Sequence, residues 1–234
     1  MKVIHIAGWS GAGKTTFIIN LCCFLSKIGR TATIKHIGEH ICLLPSGKDT
    51  TLQFESGAET SIGIDIEKTI IMRHDIELDH ALDLLCNTGI QYAVIEGFKR
   101  RSFKKVAIGD FNGDVLLKNP EPRDVIACLD LFDDWYTPSA IINELSVHNP
   151  EMFILSRTWY SGSPEIFDKS KRLESEFSKK TGVLRIKIRV LKPAEVRPYQ
   201  VFIALVSEDP KGSAEIINEV VKRLEDFNGK DKGE

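Results

Sequence analysis

GWSGAGKT, residues 8–15, follows the apolar run VIHIA at 3–7 and precedes a helical pattern at 16–27. This order of strand, glycine-rich turn and helix decides the fold. The spacing is G-x-x-x-x-G-K-[ST], that of a phosphate-binding loop, or Walker A motif. Gly8, Gly11 and Gly13 permit positive φ and close backbone approach, so the amides of Ser10, Ala12 and their neighbours can turn inward around a nucleotide's phosphates. Lys14 then reaches the terminal oxygens as a charged donor, and Thr15 offers its hydroxyl to a magnesium ion. Thr16 continues into a helix whose positive end faces the same phosphates.

Working outward from this loop, further strand-length apolar runs stand at 31–35, 69–72, 92–95, 106–108 and 125–129, with a second helical pattern at 78–85. Alternation of this kind predicts an α/β fold, a P-loop NTPase with a mostly parallel sheet flanked by helices. The phosphate-binding loop belongs at the carboxyl edge of that sheet, where open α/β sheets bind their ligands. Residues 110–124, rich in Gly, Asn, Pro and charge, read as a hairpin or loop excursion. A second unit begins near residue 137. Helices are expected at 139–145, 164–180 and 213–227 and strands at 152–155, 183–190 and 199–206, which makes a small α+β C-terminal module. The division is 1–136 and 137–234, with a frayed tail from about 228.

The 234 residues carry a formal net charge of −2, so no global field recruits nucleic acid or an anionic membrane. Five cysteines show no C-x-x-C spacing, the pattern of a reduced, cytoplasmic protein. Cys22 and Cys23 are expected to pack as small apolar residues beside Leu21 and Phe24. No leader sequence or bilayer-spanning run is apparent.

Several residues are candidates to serve a bound nucleotide. Glu96 ends the apolar run at 92–95, where a carboxylate can hold a magnesium-bound water or orient water toward the γ-phosphate. An acidic residue that simply opens a loop is the other reading. Asp49, in SGKDTT, is either an N-cap or a magnesium ligand. Lys35 ends the second strand and either faces the phosphates or is solvated. His36 and His40 have ligand-like spacing with Glu39 near, but no cysteine or carboxylate set completes a zinc site. His5 reads as a core residue. The run KRRSFKK at 99–105 puts five cations beyond Glu96, either a solvated face or a patch for a second anionic ligand. Base selection stays open, since KNPEP at 118–122 lacks the N-K-x-D pattern of regulatory GTPases.

Taken in order, IHIAGWSGAGKTT, TATIKHIGEH, SGKDTTLQFESGAE and YAVIEGFKR resemble the MobB family of molybdenum cofactor biosynthesis, over about the first 130 residues. G-K-D-[ST] with S-G-A and E-G-F in this order is the specific part. The resemblance implies a dimeric, slow, magnesium-dependent GTPase that assists a MobA-like guanylyltransferase in attaching GMP to molybdopterin. It makes Asp49 and Glu96 catalytic groups and, with Thr15, magnesium ligands. GTP is then the ligand, by this resemblance alone. A small-molecule kinase and a nucleotide-dependent scaffold without turnover are the rivals. The stretch from 181 to 225 resembles a diverged MoaE, the large subunit of molybdopterin synthase, which implies docking of a MoaD-like small subunit. Ala194 stands where that family has glycine, and the tail NGKDKGE lacks its lysine-bearing ending. Sulfur transfer is therefore not expected of the module.

Overall fold

The computed structural model describes residues 1–38, 47–74, 77–148, 151–192 and 198–228. A six-stranded sheet forms the first half. Its strands are β1 (Lys2–Ala7), β2 (Thr31–Lys35), β5 (Tyr92–Glu96), β6 (Lys105–Ala107), β7 (Leu117–Lys118) and β8 (Asp133–Asp134). The order is β2-β5-β1-β6-β7, all parallel, while β8 pairs antiparallel with β1. Strands buried on both faces read as continuous apolar runs, which is why VIHIA and AVI stand out in the sequence. Ile4, Ile6, Val94 and Val106 face α1 (Lys14–Leu25) and α4 (Pro122–Ala127). Val3, Ala93 and Ile95 point the other way, against Leu78, Leu82 and Cys86 of α3 (Leu78–Asn87) and against Trp135. Helices thus cover both faces, as the alternation of runs predicts.

Two expectations are corrected here. The run at 125–129 is not a strand: α4 takes it to Ala127, and a 3-10 turn follows at Leu129–Leu131. Pro122 at the helix start and a reciprocal capping box between Glu121 and Asp124 satisfy the first-turn amides, so local capping overrides the β-propensity of Val and Ile. Of the hairpin and loop readings of residues 110–124 the loop holds as far as the start of α4, interrupted by β7 (Leu117–Lys118), which pairs in parallel with β6. The run at 69–72 is β4 (Thr69–Arg73), yet it lies outside the main sheet. It forms a separate antiparallel hairpin with β3 (Thr60–Ile64), with α2 (Asp49–Glu55) packed beside it.

In the second half β9 (Phe153–Ser161), β10 (Arg185–Val190) and β11 (Tyr199–Ser207) form an antiparallel sheet in the order β10-β11-β9. β9 runs well past the strand expected at 152–155. Helices α6 (Ile166–Phe177) and α7 (Pro210–Asn228) bury one face on Ile188, Val201, Ile203 and Leu205. α5 (Pro138–His148) covers Phe202, Ala204 and Val206 on the other. The Asp209 carboxylate accepts the amides of Lys211 and Gly212, capping α7 just before Pro210. The halves meet where the chain leaves β8. The Trp135 amide donates to the Met1 carbonyl, and the next amide, that of Tyr136, donates to the Leu191 carbonyl beside the end of β10. No helix among the described residues is long and apolar enough to cross a membrane.

Candidate functional site

Parallel register builds the site. Ile6 and Lys35 both lie opposite Glu96, so β1, β2 and β5 end at one edge, and the turn after β1 rises beside the Glu96 carboxylate. Gly8 has a φ of 149°, and a Cβ there would lie 2.3 Å from the Ile108 carbonyl oxygen, so no other residue fits without moving β6. Gly13, at φ 87°, caps α1 in the left-handed conformation with no side-chain hydrogen bond and no acid in the first turn. The first amides of α1 have no side-chain cap, and Ser10, Gly11, Thr15 and Thr16 are exposed around them. The residues read from the sequence as a cradle, Gly8, Ser10, Gly11, Ala12, Gly13, Lys14, Thr15 and Thr16, thus form the turn and first helical turn at this edge.

Lys14 is nearly covered. Its Nζ donates to the Trp9 carbonyl at 2.7 Å and lies 3.9 Å from Glu96 Oε1. Lys35 stands on the other side of the same carboxylate, 3.8 Å from Oε2, with its own side chain 61% exposed. Two lysines on neighbouring strand ends therefore bracket Glu96. Spacing alone left Lys35 undecided; the signal that finds it is the parallel register of β2 with β5. Gly97, at φ 95°, packs under His36, where a Cβ would meet the His36 Cβ at 2.6 Å. Phe98 follows at φ 47°, a costly conformation for a bulky residue, and its ring lies 5.0 Å from that of His36. His5 is a core residue as expected, fully buried, with Nε2 2.6 Å from the Gly97 carbonyl oxygen.

Asp49 stands on a separate element, α2. It is the first residue of α2, after Lys48 at the N-cap, and makes no capping hydrogen bond, so the N-cap expectation is corrected by one position. Its side chain is exposed, and among the described residues it has no ion pair with Lys14 or Lys35. His40, Glu39 and Cys42 lie outside the described residues, and among those described no group of three His, Cys, Asp or Glu could hold a metal. Residues 193–197, with Ala194, and the tail from 229 also lie outside them.

The basic run divides. Arg101 pairs with Asp79 at 2.6 Å, the Lys104 ammonium donates to the Leu131 carbonyl, and that of Lys105 donates to the Arg101 carbonyl. Lys99 turns toward the phosphate-binding loop, 5.7 Å above the Trp9 ring. Most of the run is therefore structural. Cys22 packs on the α1 core as expected, but Cys23 is exposed.

Comparison with known proteins follows this geometry. The family model of MobB, molybdopterin guanine dinucleotide synthesis protein B, matches residues 3–129, more than half of the chain. A Methanocaldococcus jannaschii relative, named a putative molybdopterin-guanine dinucleotide biosynthesis adapter protein, is 30% identical over 126 residues, 54% of this chain and 51% of its own. The chain thus spans about half the length of the curated relative it matches. The crystal structure of Bacillus subtilis MobB superposes with a TM-score of 0.46 at 19% identity, covering 57% of this chain and 99% of that one. A MobB homolog from Bacillus stearothermophilus gives 0.38 at 16%, covering 63% and 99%.

Proposed function

This chain belongs to the MobB family, and on that premise we propose that it is a GTP-binding accessory protein of molybdopterin guanine dinucleotide synthesis with slow GTPase activity. The observation that carries the reading is Glu96 held between Lys14 and Lys35 at the mouth of an uncapped, glycine-built phosphate loop. The amides of residues 8–16 would take the β-phosphate, and Lys14 would leave the Trp9 carbonyl to meet the γ-phosphate. Lys35 adds a second cation on the side where negative charge grows during phosphoryl transfer. Glu96 orients the attacking water. Thr15 and Glu96 fit the oxygen-donor chemistry of Mg²⁺; when bound, the ion would neutralise charge on the β and γ oxygens. Asp49 would join them as a further oxygen ligand, a role that rests on family membership. Guanine rather than adenine rests on family membership.

A MobA-like guanylyltransferase and molybdopterin are the partners this reading assigns, in a cytoplasmic setting that the free thiols of Cys22, Cys23, Cys86 and Cys128 fit. The C-terminal module would contribute recognition, a MoaD-like subunit being one such partner. A homodimer belongs to the same reading. The β3–β4 hairpin exposes Ile62, Ile64, Ile66, Ile70 and Ile71 by half or more, and a patch of this kind marks a protein interface. Ile64→Lys combined with Ile66→Lys should give a monomer in sedimentation; an unchanged mass would refute the hairpin as the dimer contact.

The functional test is calorimetric titration with GTP and ATP, with and without magnesium, followed by hydrolysis assays. Glu96→Gln should keep GTP bound while slowing hydrolysis by about a hundredfold. Equal GTP and ATP affinity, or parent-rate hydrolysis by Glu96→Gln, would overturn the respective half of the proposal.

A further inference from the structure

A cavity lined by none of the phosphate-loop residues lies in the seam between the β8 segment and the α6–β10 face of the C-terminal module. Its volume is about 690 Å³, within the range of small-molecule sites. Aromatic rings form part of its wall, from Phe132 and Tyr136 on one side and Phe167 on the other. Most of its charges are already matched. Arg189 pairs with Glu174, which also accepts the Ile188 amide; Lys187 pairs with Glu144, and Asp134 with Lys2. Lys104 gives its ammonium to the Leu131 carbonyl and its amide to Asp133.

Two lining cations are left over. Lys171 of α6 and Arg185 of β10 have no ion pair among the described residues, and they stand on the two elements that form one wall. Ser170, beside Lys171, is 2% exposed, yet its Oγ is buried without any hydrogen-bond partner. A buried hydroxyl in that state costs stability unless something supplies its partner. Asp130 and Asp133 line the opposite side and repel an anion toward α6 and β10. Burial, with Asp134 nearby, pushes the Tyr136 phenol up to about 12, so it keeps its proton across the neutral range.

We propose that this cavity binds a small phosphomonoester attached to an aromatic ring. Arg185 and Lys171 hold the phosphate, Arg185 as a planar fork suited to two of its oxygens, and the Ser170 hydroxyl, buried in the wall of the empty cavity, rotates about its Cα–Cβ bond to donate to a third. The ring lies against Phe132, Tyr136 and Phe167. Nothing in this assignment depends on what the phosphate loop takes.

Site-resolved NMR titration of the full chain with phenyl phosphate, inorganic phosphate and benzoate tests it. Phenyl phosphate should shift the amides of Ser170, Lys171 and Ile186, and should bind about fivefold or more tighter than either fragment. Arg185→Gln should weaken that binding about tenfold. Ser170→Ala should weaken it while leaving the ligand-free thermal midpoint unchanged or raised, because the lost hydroxyl had no partner. Shifts confined to residues 8–16, no shifts, equal affinity for a fragment, or an unaltered affinity in Arg185→Gln would each overturn the site. A lower ligand-free midpoint in Ser170→Ala would overturn the role of its hydroxyl. Failure of GTP to shift residues 8–16 would instead sink the GTP reading and leave this one standing.

Discussion

The two halves of this chain use their backbones differently. Among the described residues, nine of the ten glycines with positive φ lie at or before residue 109, Gly182 being the exception. Phe98 and Asn119, the non-glycine residues with positive φ, are also in the first half. The second half is regular by contrast: an antiparallel sheet with β11 buried along nearly all its length, and a 19-residue helix over it. Positive φ clusters where the chain must turn sharply at the ends of strands, as at Gly8, Gly38, Gly97 and Gly109, and of helices, as at Gly13, Gly57 and Gly89; the turns after β1 and β5 frame the Glu96 carboxylate. The first half holds its polar groups ready at an edge, whereas the second gains its stability from burial.

The largest effect should separate the two. Leu205 is fully buried between β11 and the α6–α7 layer. Leu205→Ala should cost about 2–5 kcal/mol in chemical denaturation, with GTP affinity unchanged in the folded protein. A parallel loss of affinity would show that the halves are coupled and would break the contrast.

Lys14→Ala is the converse. Removing a charge-assisted phosphate contact should cost roughly 1.5–3 kcal/mol of triphosphate binding, about tenfold to more than a hundredfold. Among the described residues the Lys14 ammonium has the Trp9 carbonyl and the Glu96 carboxylate to lose, so the unfolding midpoint should barely move. The chain shortened to residues 1–136 should still bind GTP, since the cradle, Lys35 and Glu96 all precede the cut. Trp135 packs with Val3, Leu82 and Ala93 and stays in the shortened chain. Aggregation of that fragment, or unaltered GTP affinity in Lys14→Ala, would remove the basis of the contrast.

How far the sequence could be read follows the same division. The phosphate loop was legible because glycine spacing, the strand before it and the helix after it are all local. Two of the module's strands and its helices were legible because their apolar periods are long and unbroken, as in RIKIRV of β10 and YQVFIALVS of β11, whereas β9, mostly exposed beyond Leu155, was read short. The run at 125–129 was misread because VIACL looks like a buried strand, while the signal that decides it lies outside the run, in Glu121, Pro122 and Asp124. Lys35 at Glu96 depends on strand register, which pairs residues 61 positions apart. The seam cavity was invisible for a stronger version of that reason. It unites residues 130–136 with α6 and β10, and only tertiary packing puts Ser170 and Arg185 around one cavity with Tyr136.

The smallest effect probes the seam itself. Asp79 of α3 pairs with Arg101 at 2.6 Å in its own half and with Lys192, just beyond β10, at 3.3 Å. Burial pushes the Asp79 carboxyl up, but Arg101 and then Lys192 outweigh it and hold the carboxyl below its ordinary value. A folded value lower than the unfolded one means that the pair stabilises the protein above about pH 4, and that this contribution is lost as the pH falls through the folded value. The three side chains are 22–34% exposed, so solvent screening limits the gain to about 0.5–1 kcal/mol. Asp79→Asn should therefore lower the thermal midpoint of the full chain at pH 7 by a few degrees at most. The gap from the parent should narrow below about pH 4 and close only as the pH falls through the lowered folded value, where both proteins carry a neutral group at position 79. In the chain shortened to 1–136 the Lys192 share is gone, so the same substitution should cost less. A gap that persists at low pH would mean that shape rather than charge holds the seam. An equal cost in the short chain would mean that Asp79 serves Arg101 alone and that the two halves meet there without electrostatic help.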